Sequence, residues 1–233
     1  MTAERADDSA SGVALFDLDP DLAGGLDGPR LADAARLARV RTERVGEGPW
    51  MPDRTEEDGF GLLVLSGFLV HRVGREGRYG AELLGSGDLL RPWLTPAEFS
   101  SQRFEPAWRA IAPVELAVLD DEFMRLMAPF PEVAAHLVER AMLRSRHLAL
   151  ELAIVQERRV DRRLHMLLWH LADRWGQMTS GGARVAAPLT HSLLADLIAA
   201  RRPSVSTALG RLTEAGVVKR AGDAWILSDD PPA

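Results

Sequence analysis

Apolar and polar positions alternate in three successive textures along the chain. From about 43 to 120, short apolar runs are cut by glycine: GFGLLVLSGFLVHRV, the turn GREGR, YGAELLGSGDLL, and later AWRAIAPVELAVLD. No helical period fits, and short strands between glycine-bearing turns predict a β-sandwich or barrel. Residues 1–30, rich in Asp, Gly and Ala, read as a loose leader, with a short helix, LADAARLARV, at 31–40.

From Pro131 the texture changes. No Gly or Pro interrupts residues 132–158, which predicts one helix of about 40 Å at 1.5 Å per residue. Leu137, Ala141, Ser145, Leu148, Leu152 and Val155 follow at spacings of 4, 4, 3, 4 and 3, the rhythm of a narrow coiled-coil seam with small residues in its middle. Two such helices can pair; the alternative is a helix lying on its own domain. A second helix, VDRRLHMLLWHLADRWG, follows at 160–176.

The third texture is compact. SGGARVAAPLT reads as a glycine turn with a short strand, HSLLADLIAA as a helix, and VVKRAGDAWILS as two strands about an Ala-Gly-Asp turn. Between them, in ARRPSVSTALGRL, Val205, Ala208, Leu209 and Leu212 share one helix face, while Ser204, Ser206, Thr207 and Arg211 lie off it. Pro203 suits a first turn, whose N–H groups have no intrahelical partner, and Gly216 is placed to end the helix. Helix, tight turn, helix, hairpin predicts a winged helix-turn-helix.

Composition changes this picture mainly by exclusion. The 233 residues are 46% hydrophobic and 27% charged, enough for one large domain or two modest ones. With no cysteine, disulfides, thiolate metal sites, cysteine-ligated iron-sulfur clusters and a cysteine nucleophile are excluded. The most apolar run, residues 61–70, is far short of a membrane span, and the N-terminus is acidic rather than a signal peptide, so a cytoplasmic protein with no membrane partner is expected. The net charge of −6 argues against nucleic acid until its distribution is considered: residues 1–60 carry −7, whereas residues 184–221 carry +4.

That basic segment holds the candidate DNA contacts. In a winged helix-turn-helix the second helix enters the major groove N-terminus first, while the preceding segment and the wing meet phosphates. Arg202 can donate two hydrogen bonds to guanine O6 and N7. Thr190, Ser192 and Ser204 carry hydroxyls suited to phosphate oxygens, Thr207 offers a methyl to thymine, and Lys219 with Arg220 charges the wing. Arg201, Pro203 and Ser206 complete the outward start of the helix, and Arg211 lies further along. The alternative is an ordinary three-helix packing unit with a solvated basic face.

The stretch LTHSLLADLIAARRPSVSTALGRLTEAGVVKRAGDAWIL resembles, without gaps, the C-terminal domain of the cyclic-AMP receptor protein / fumarate-nitrate regulator (Crp/Fnr) family. LLVLSGFLVHRV followed by LLGSGDLL is similar to that family's central β-roll. The resemblance implies an α+β fold in three parts: an N-terminal β-roll (jelly-roll, cyclic-nucleotide-binding-like) over 1–130, a long dimerisation helix over 131–159, and a winged helix-turn-helix over 160–233. It further implies a homodimeric transcription regulator on a palindromic site, with double-stranded DNA, a second copy and RNA polymerase as partners. The family's base-reading arginine falls on Arg202, an acidic base reader on Pro203 and a second arginine on Thr207, so a different operator is expected. Thr190, Ser192 and Ser204 fall on its phosphate-contact positions.

Family members that bind cyclic nucleotides continue from Gly-Asp into a short F-G-E-L-type helix and a later Arg-Ser/Thr-Ala. Here Gly87 and Asp88 are followed by LLRPWLTPAEFSSQRFEPAWRA, with no glutamate at the expected place, Pro92 removing a donor, and no Arg-Ser/Thr-Ala. Cyclic AMP is therefore not expected as effector, and no cofactor is expected. Arg91 and Arg103 remain candidate anion contacts, and Trp93, with Trp50 and Trp108, either lines an effector pocket or packs the core. His71 remains open as a single haem ligand.

Two other readings stand beside this one, a constitutive DNA binder with a vestigial roll and a cupin-like enzyme. The second is poorly served: a cupin metal site needs two alternating histidines and a carboxylate, and His71-Arg72-Val73 supplies one. Glu56, Glu57 and Asp58 form an acidic run in a polar stretch that reads as solvated, and no nucleophile elbow or P-loop occurs.

Overall fold

The computed structural model describes residues 12–52, 59–75, 78–93 and 104–228. Arg103 and the run Glu56–Asp58 lie outside them. The chain opens on β1 (Val13–Ala14), α1 (Leu15–Leu18), a 3-10 turn (Pro20–Ala23) and α2 (Gly28–Leu37). From residue 12 the expected loose leader is therefore ordered: Leu15, Phe16, Leu22 and Leu26 are buried against Phe123, Met127 and Val133. The expected helix at 31–40 starts earlier, with Pro29 in its first turn, and stops at Leu37, because Arg39 and Val40 already belong to a strand.

That strand is β2 (Arg39–Val45), followed by β3 (Gly48–Trp50), β4 (Gly61–Ser66), β5 (Leu69–Arg75), β6 (Arg78–Leu84), β7 (Leu89–Leu90), β8 (Glu105–Ala110) and β9 (Val114–Leu119). They form two antiparallel sheets, β1-β2-β9-β4-β7 and β3-β8-β5-β6. Leu62, Val64, Leu69, Leu84, Leu90, Val114, Leu116 and Val118 fill the core of this roll. β4 and β9 are apolar on both faces: Leu62, Val64, Leu116 and Val118 belong to the roll core, while Leu63, Ala117 and Leu119 belong to a second core shared with the N-terminal helices and the long helix that follows.

After α3 (Asp121–Met127), capped by the Asp120 carboxylate on the Phe123 N–H, comes α4 (Pro131–Gln156), the long helix. Its first turns lie on the roll. Leu137, assigned to the seam by spacing, has no exposed surface and belongs to the core that Phe16, Leu63 and Phe130 share. Val138 stands in its place on the open side: Val138 is 53% exposed, Met142 54% and Leu152 66%, with Ala141, Ser145 and Leu148 also exposed and Val155 partly so. Leu137 departs from the seam because the roll, which the helical period does not report, takes up the adjacent face.

The C-terminal unit is α5 (Val160–Trp175), β10 (Gln177–Thr179), β11 (Gly182–Val185), α6 (His191–Leu197), α7 (Arg202–Glu214), β12 (Val218–Ala221) and β13 (Ala224–Leu227). Its sheet runs β10-β11-β13-β12. Its core of Leu164, Leu168, Leu171, Leu194, Val205 and Leu209 is continuous with Val70 and Leu83 of the roll. Ion pairs reinforce that join: Arg174 Nη2 donates to both Asp88 oxygens at 2.8 and 2.7 Å, and Arg72 Nη2 donates to Asp196 at 2.6 Å.

Candidate nucleic-acid interface

α7 buries Val205, Ala208, Leu209 and Leu212 and exposes Arg202, Pro203, Ser204, Ser206, Thr207 and Arg211. Arg201 occupies its N-cap and is exposed, and Pro203 sits in the first turn, so two guanidinium groups stand at the helix start. The positive end of the helix dipole adds to their charge. The wing is the β12–β13 hairpin, with Arg220 opposite Trp225 and Lys219 opposite Ile226. Lys219 is exposed, whereas Arg220 is partly tied back: its Nε donates to Gly222 O at 3.1 Å and its guanidinium lies 5.5 Å from the Trp225 ring centre.

The hydroxyls are less uniform than the sequence implies. Thr190 caps α6, accepting from the Leu193 N–H at 3.2 Å, which leaves its proton for an external acceptor. Ser192 and Ser204 are exposed. Ser206 Oγ and Thr207 Oγ1 donate to the carbonyls of Arg202 and Pro203 at 3.2 and 3.1 Å, a local bond that competes with outside partners. Because the Ser206 proton is so engaged, His191 Nδ1, 2.9 Å away, must be the donor to Ser206 Oγ, which ties the start of α6 to α7. No spacing rule joins positions 15 apart, so sequence reasoning missed His191.

Arg163 is the second missed residue. Its Nη1 donates to Ile198 O at 2.7 Å in the α6–α7 turn, while its Nη2 and Nε donate to Glu157 O at 2.6 and 3.1 Å beyond α4. One side chain thus bridges the exit of the long helix and the turn that aims α7.

The roll interior differs from an open pocket. Trp93 and Trp50 are buried in its core, Trp50 packs edge-to-face on Trp108 at 5.8 Å, and His71 stacks on Trp108 at 4.0 Å. Of the three residues assigned to an effector pocket, Trp93 is therefore a core residue, Arg91 lies exposed with its guanidinium 5.9 Å from the Trp93 ring centre, and Arg103 lies outside the described residues. The ionic centre stands beside them: Arg144 Nε and Nη2 donate to the two Glu82 oxygens at 2.7 and 2.8 Å. Burial pushes the Glu82 carboxyl up, but the hydrogen bonds and charges of Arg144 and His71 prevail and hold its pKa at about 2.

A family model described as a Crp-like helix-turn-helix domain matches residues 162–233, the span that holds α5 to the wing. That segment is a Crp-like helix-turn-helix domain. The chain is a Crp/Fnr-type transcription regulator with a helix-turn-helix DNA-binding domain. A CRP-like cAMP-activated global transcriptional regulator of Mycobacterium tuberculosis is 27% identical over 177 residues, spanning 72% of this chain and 75% of its relative. Among solved structures, a CooA mutant from Carboxydothermus hydrogenoformans has a TM-score of 0.64 at 15% identity, covering 95% of this chain and 93% of that one. FixK2 from Bradyrhizobium japonicum has a TM-score of 0.61 at 17% identity, covering 82% and 93%. These similarities extend the Crp/Fnr fold through the roll and long helix. Among the described residues no helix is long and apolar enough to cross a membrane.

Proposed function

We propose that this Crp/Fnr regulator binds a two-fold symmetric duplex as a homodimer, with Arg202 reading a guanine in each half-site and no control by cyclic AMP. The observation that carries the reading is α7 itself, whose inner face is sealed by Val205, Ala208, Leu209 and Leu212 while the opposite, arginine-tipped face stands open. The stripe Val138, Ala141, Met142, Ser145, Leu148, Leu152 and Val155 pairs with its copy. Half-sites then lie about one helical turn apart, near 34 Å. Lys219, Arg220, Arg201, Thr190, Ser192 and Ser204 contact phosphates; Thr207, its hydroxyl occupied, offers a methyl to thymine; Pro203 and Ser206 shape the approach.

The mycobacterial relative's activation by cAMP is not carried over, because Trp93 stands in the roll core and the glutamate and Arg-Ser/Thr-Ala of nucleotide-binding members are missing from the sequence. The chain is read as a regulator without catalysis, and contact with RNA polymerase belongs to the same reading. Selection from a random duplex pool, with and without cyclic AMP, tests it. A palindromic consensus unaffected by the nucleotide is expected. No enrichment at low salt refutes DNA reading, and micromolar cyclic AMP that tightens binding refutes the reading of the roll.

A further inference from the structure

α6 and α7 meet at one polar contact on the side away from their shared core. His191, the first residue of α6, places Nδ1 2.9 Å from Ser206 Oγ on the second turn of α7. Ser206 is exposed and stands one turn beyond Arg202, whose carbonyl takes its proton at 3.2 Å. The imidazole therefore rests at the rim of the arginine-tipped face. It lies in sequence between Thr190, whose hydroxyl proton is left for an outside acceptor, and the exposed Ser192.

We propose, resting on the DNA-binding reading above, that His191 is a phosphate contact and enters the complex as imidazolium, so that each half-site takes up a proton when duplex DNA binds. The two ring nitrogens point to opposite sides of the imidazole. Nδ1 is the donor to Ser206, so a neutral ring has its only proton there and presents a lone pair at Nε2. Nε2 has no hydrogen-bond partner among the described residues and is not buried. A lone pair repels a phosphate oxygen, whereas a second proton turns the same atom into a charged donor. The first helix of a helix-turn-helix crosses the sugar-phosphate backbone while the second lies in the groove. A ring carried by α6 and leaning on the outer face of α7 thus meets the strand that walls the groove.

The protein itself supplies no anion for this ring. α7 presents Arg201 and Arg202 at its start, with Arg211 and Glu214 further along. The roll presents Arg72, bonded to Asp196 further along α6, and Glu82, bonded to Arg144. From α5, Arg163 is committed to the carbonyls of Ile198 and Glu157. Among the described residues no carboxylate pairs with His191, so the negative partner of an imidazolium comes from the duplex. Histidine changes charge between pH 5 and 8, and a phosphate favours the charged form. The complex then holds more protons than the free chain, and binding strengthens as pH falls from 8.

Affinity of the full chain for the palindromic duplex recovered by the selection above, measured by fluorescence anisotropy at pH 8 and pH 6.5 over several salt concentrations, tests the contact. The wild type should bind about tenfold tighter at the lower pH, with a salt slope steeper by up to about two for the dimer. His191→Asn keeps an amide donor near the place of Nδ1 and removes Nε2; His191→Gln holds a neutral amide near Nε2. Both should lose the gain and the added slope, so the ratio of wild-type to variant affinity rises about tenfold as pH falls. A duplex of unselected sequence should show the same gain with the wild type, because phosphates are common to every sequence. A residue that only braces α7 would weaken the variants equally at both pH values, and that result, or a gain confined to one base pair, overturns the proposal. A chain that binds the selected duplex alike at both pH values loses this contact and keeps the regulatory reading, whereas no duplex bound at either pH removes both.

Discussion

Ala199 holds φ at +51° in the α6–α7 turn, a conformation that favours glycine. It has the place in α6 that Gly216, at +75°, has after α7. Both helices end in a Schellman pattern: Ala200 N–H bonds Ala195 O at 2.9 Å and Ala199 N–H bonds Asp196 O at 3.3 Å, as Val217 bonds Leu212 O and Gly216 bonds Thr213 O at 3.1 and 3.0 Å. Ala199→Gly should therefore raise stability by about 0.5–1 kcal/mol, relief of strain exceeding the added chain entropy; a lower denaturation midpoint would contradict this. At the DNA face, Arg202→Ala should cost about 1–3 kcal/mol on the preferred site and relax one base pair per half-site. Lys219→Ala should instead weaken all sequences alike and lower the salt slope by about one. Binding isotherms on matched and mismatched duplexes at several salt concentrations distinguish the two effects, and identical behaviour of the variants would refute the assigned register.

Among the elements, α4 carries opposing demands. Its Leu137 side is committed to the roll, its Arg144 and His147 side to the junction, and its remaining apolar stripe is uncovered in the single chain. A stripe containing Val138, Met142, Leu148 and Leu152 is more apolar surface than an isolated exposed helix ordinarily presents. Leu148→Glu and Leu152→Glu should halve the sedimenting mass with the helical circular dichroism retained, because both side chains are exposed before pairing and a charge there is buried only in the dimer. An unchanged mass would refute the seam.

In the molecule as a whole, Glu82 joins the roll to the long helix through Arg144, with His71 of the neighbouring roll strand beside it. Its folded pKa of about 2 lies below the ordinary 4.5, so its contribution is present above pH 4.5 and is lost as pH falls from 4.5 towards 2. The shift corresponds to about 3 kcal/mol. Glu82→Gln should lower stability at pH 7 and flatten its fall between pH 4.5 and 3; urea unfolding at those pH values measures both, and a parallel acid slope in the variant would overturn the role. Much of this scale was hidden in the sequence. The periods showed the roll strands, the long helix and the sealed face of α7, because each is a local repeat. They did not show that Leu137 turns inward, that residues 15–26 close the roll's core, or that Arg163 and His191 brace the reading helix, since those contacts join positions far apart.

The amino-acid order alone determined the strand-rich middle, the long helix and the helix–turn–helix–hairpin order at the C-terminal end, where Gly216 and Pro203 bound α7, and which segment carries the excess of arginine, because backbone preference, apolar period and charge are properties of neighbours. Tertiary structure decided which of those faces remain free. It buried Trp93, paired Arg144 with Glu82, and set His191 against Ser206. Burial and electrostatic pairing depend on distance in space, and only the folded chain supplies it.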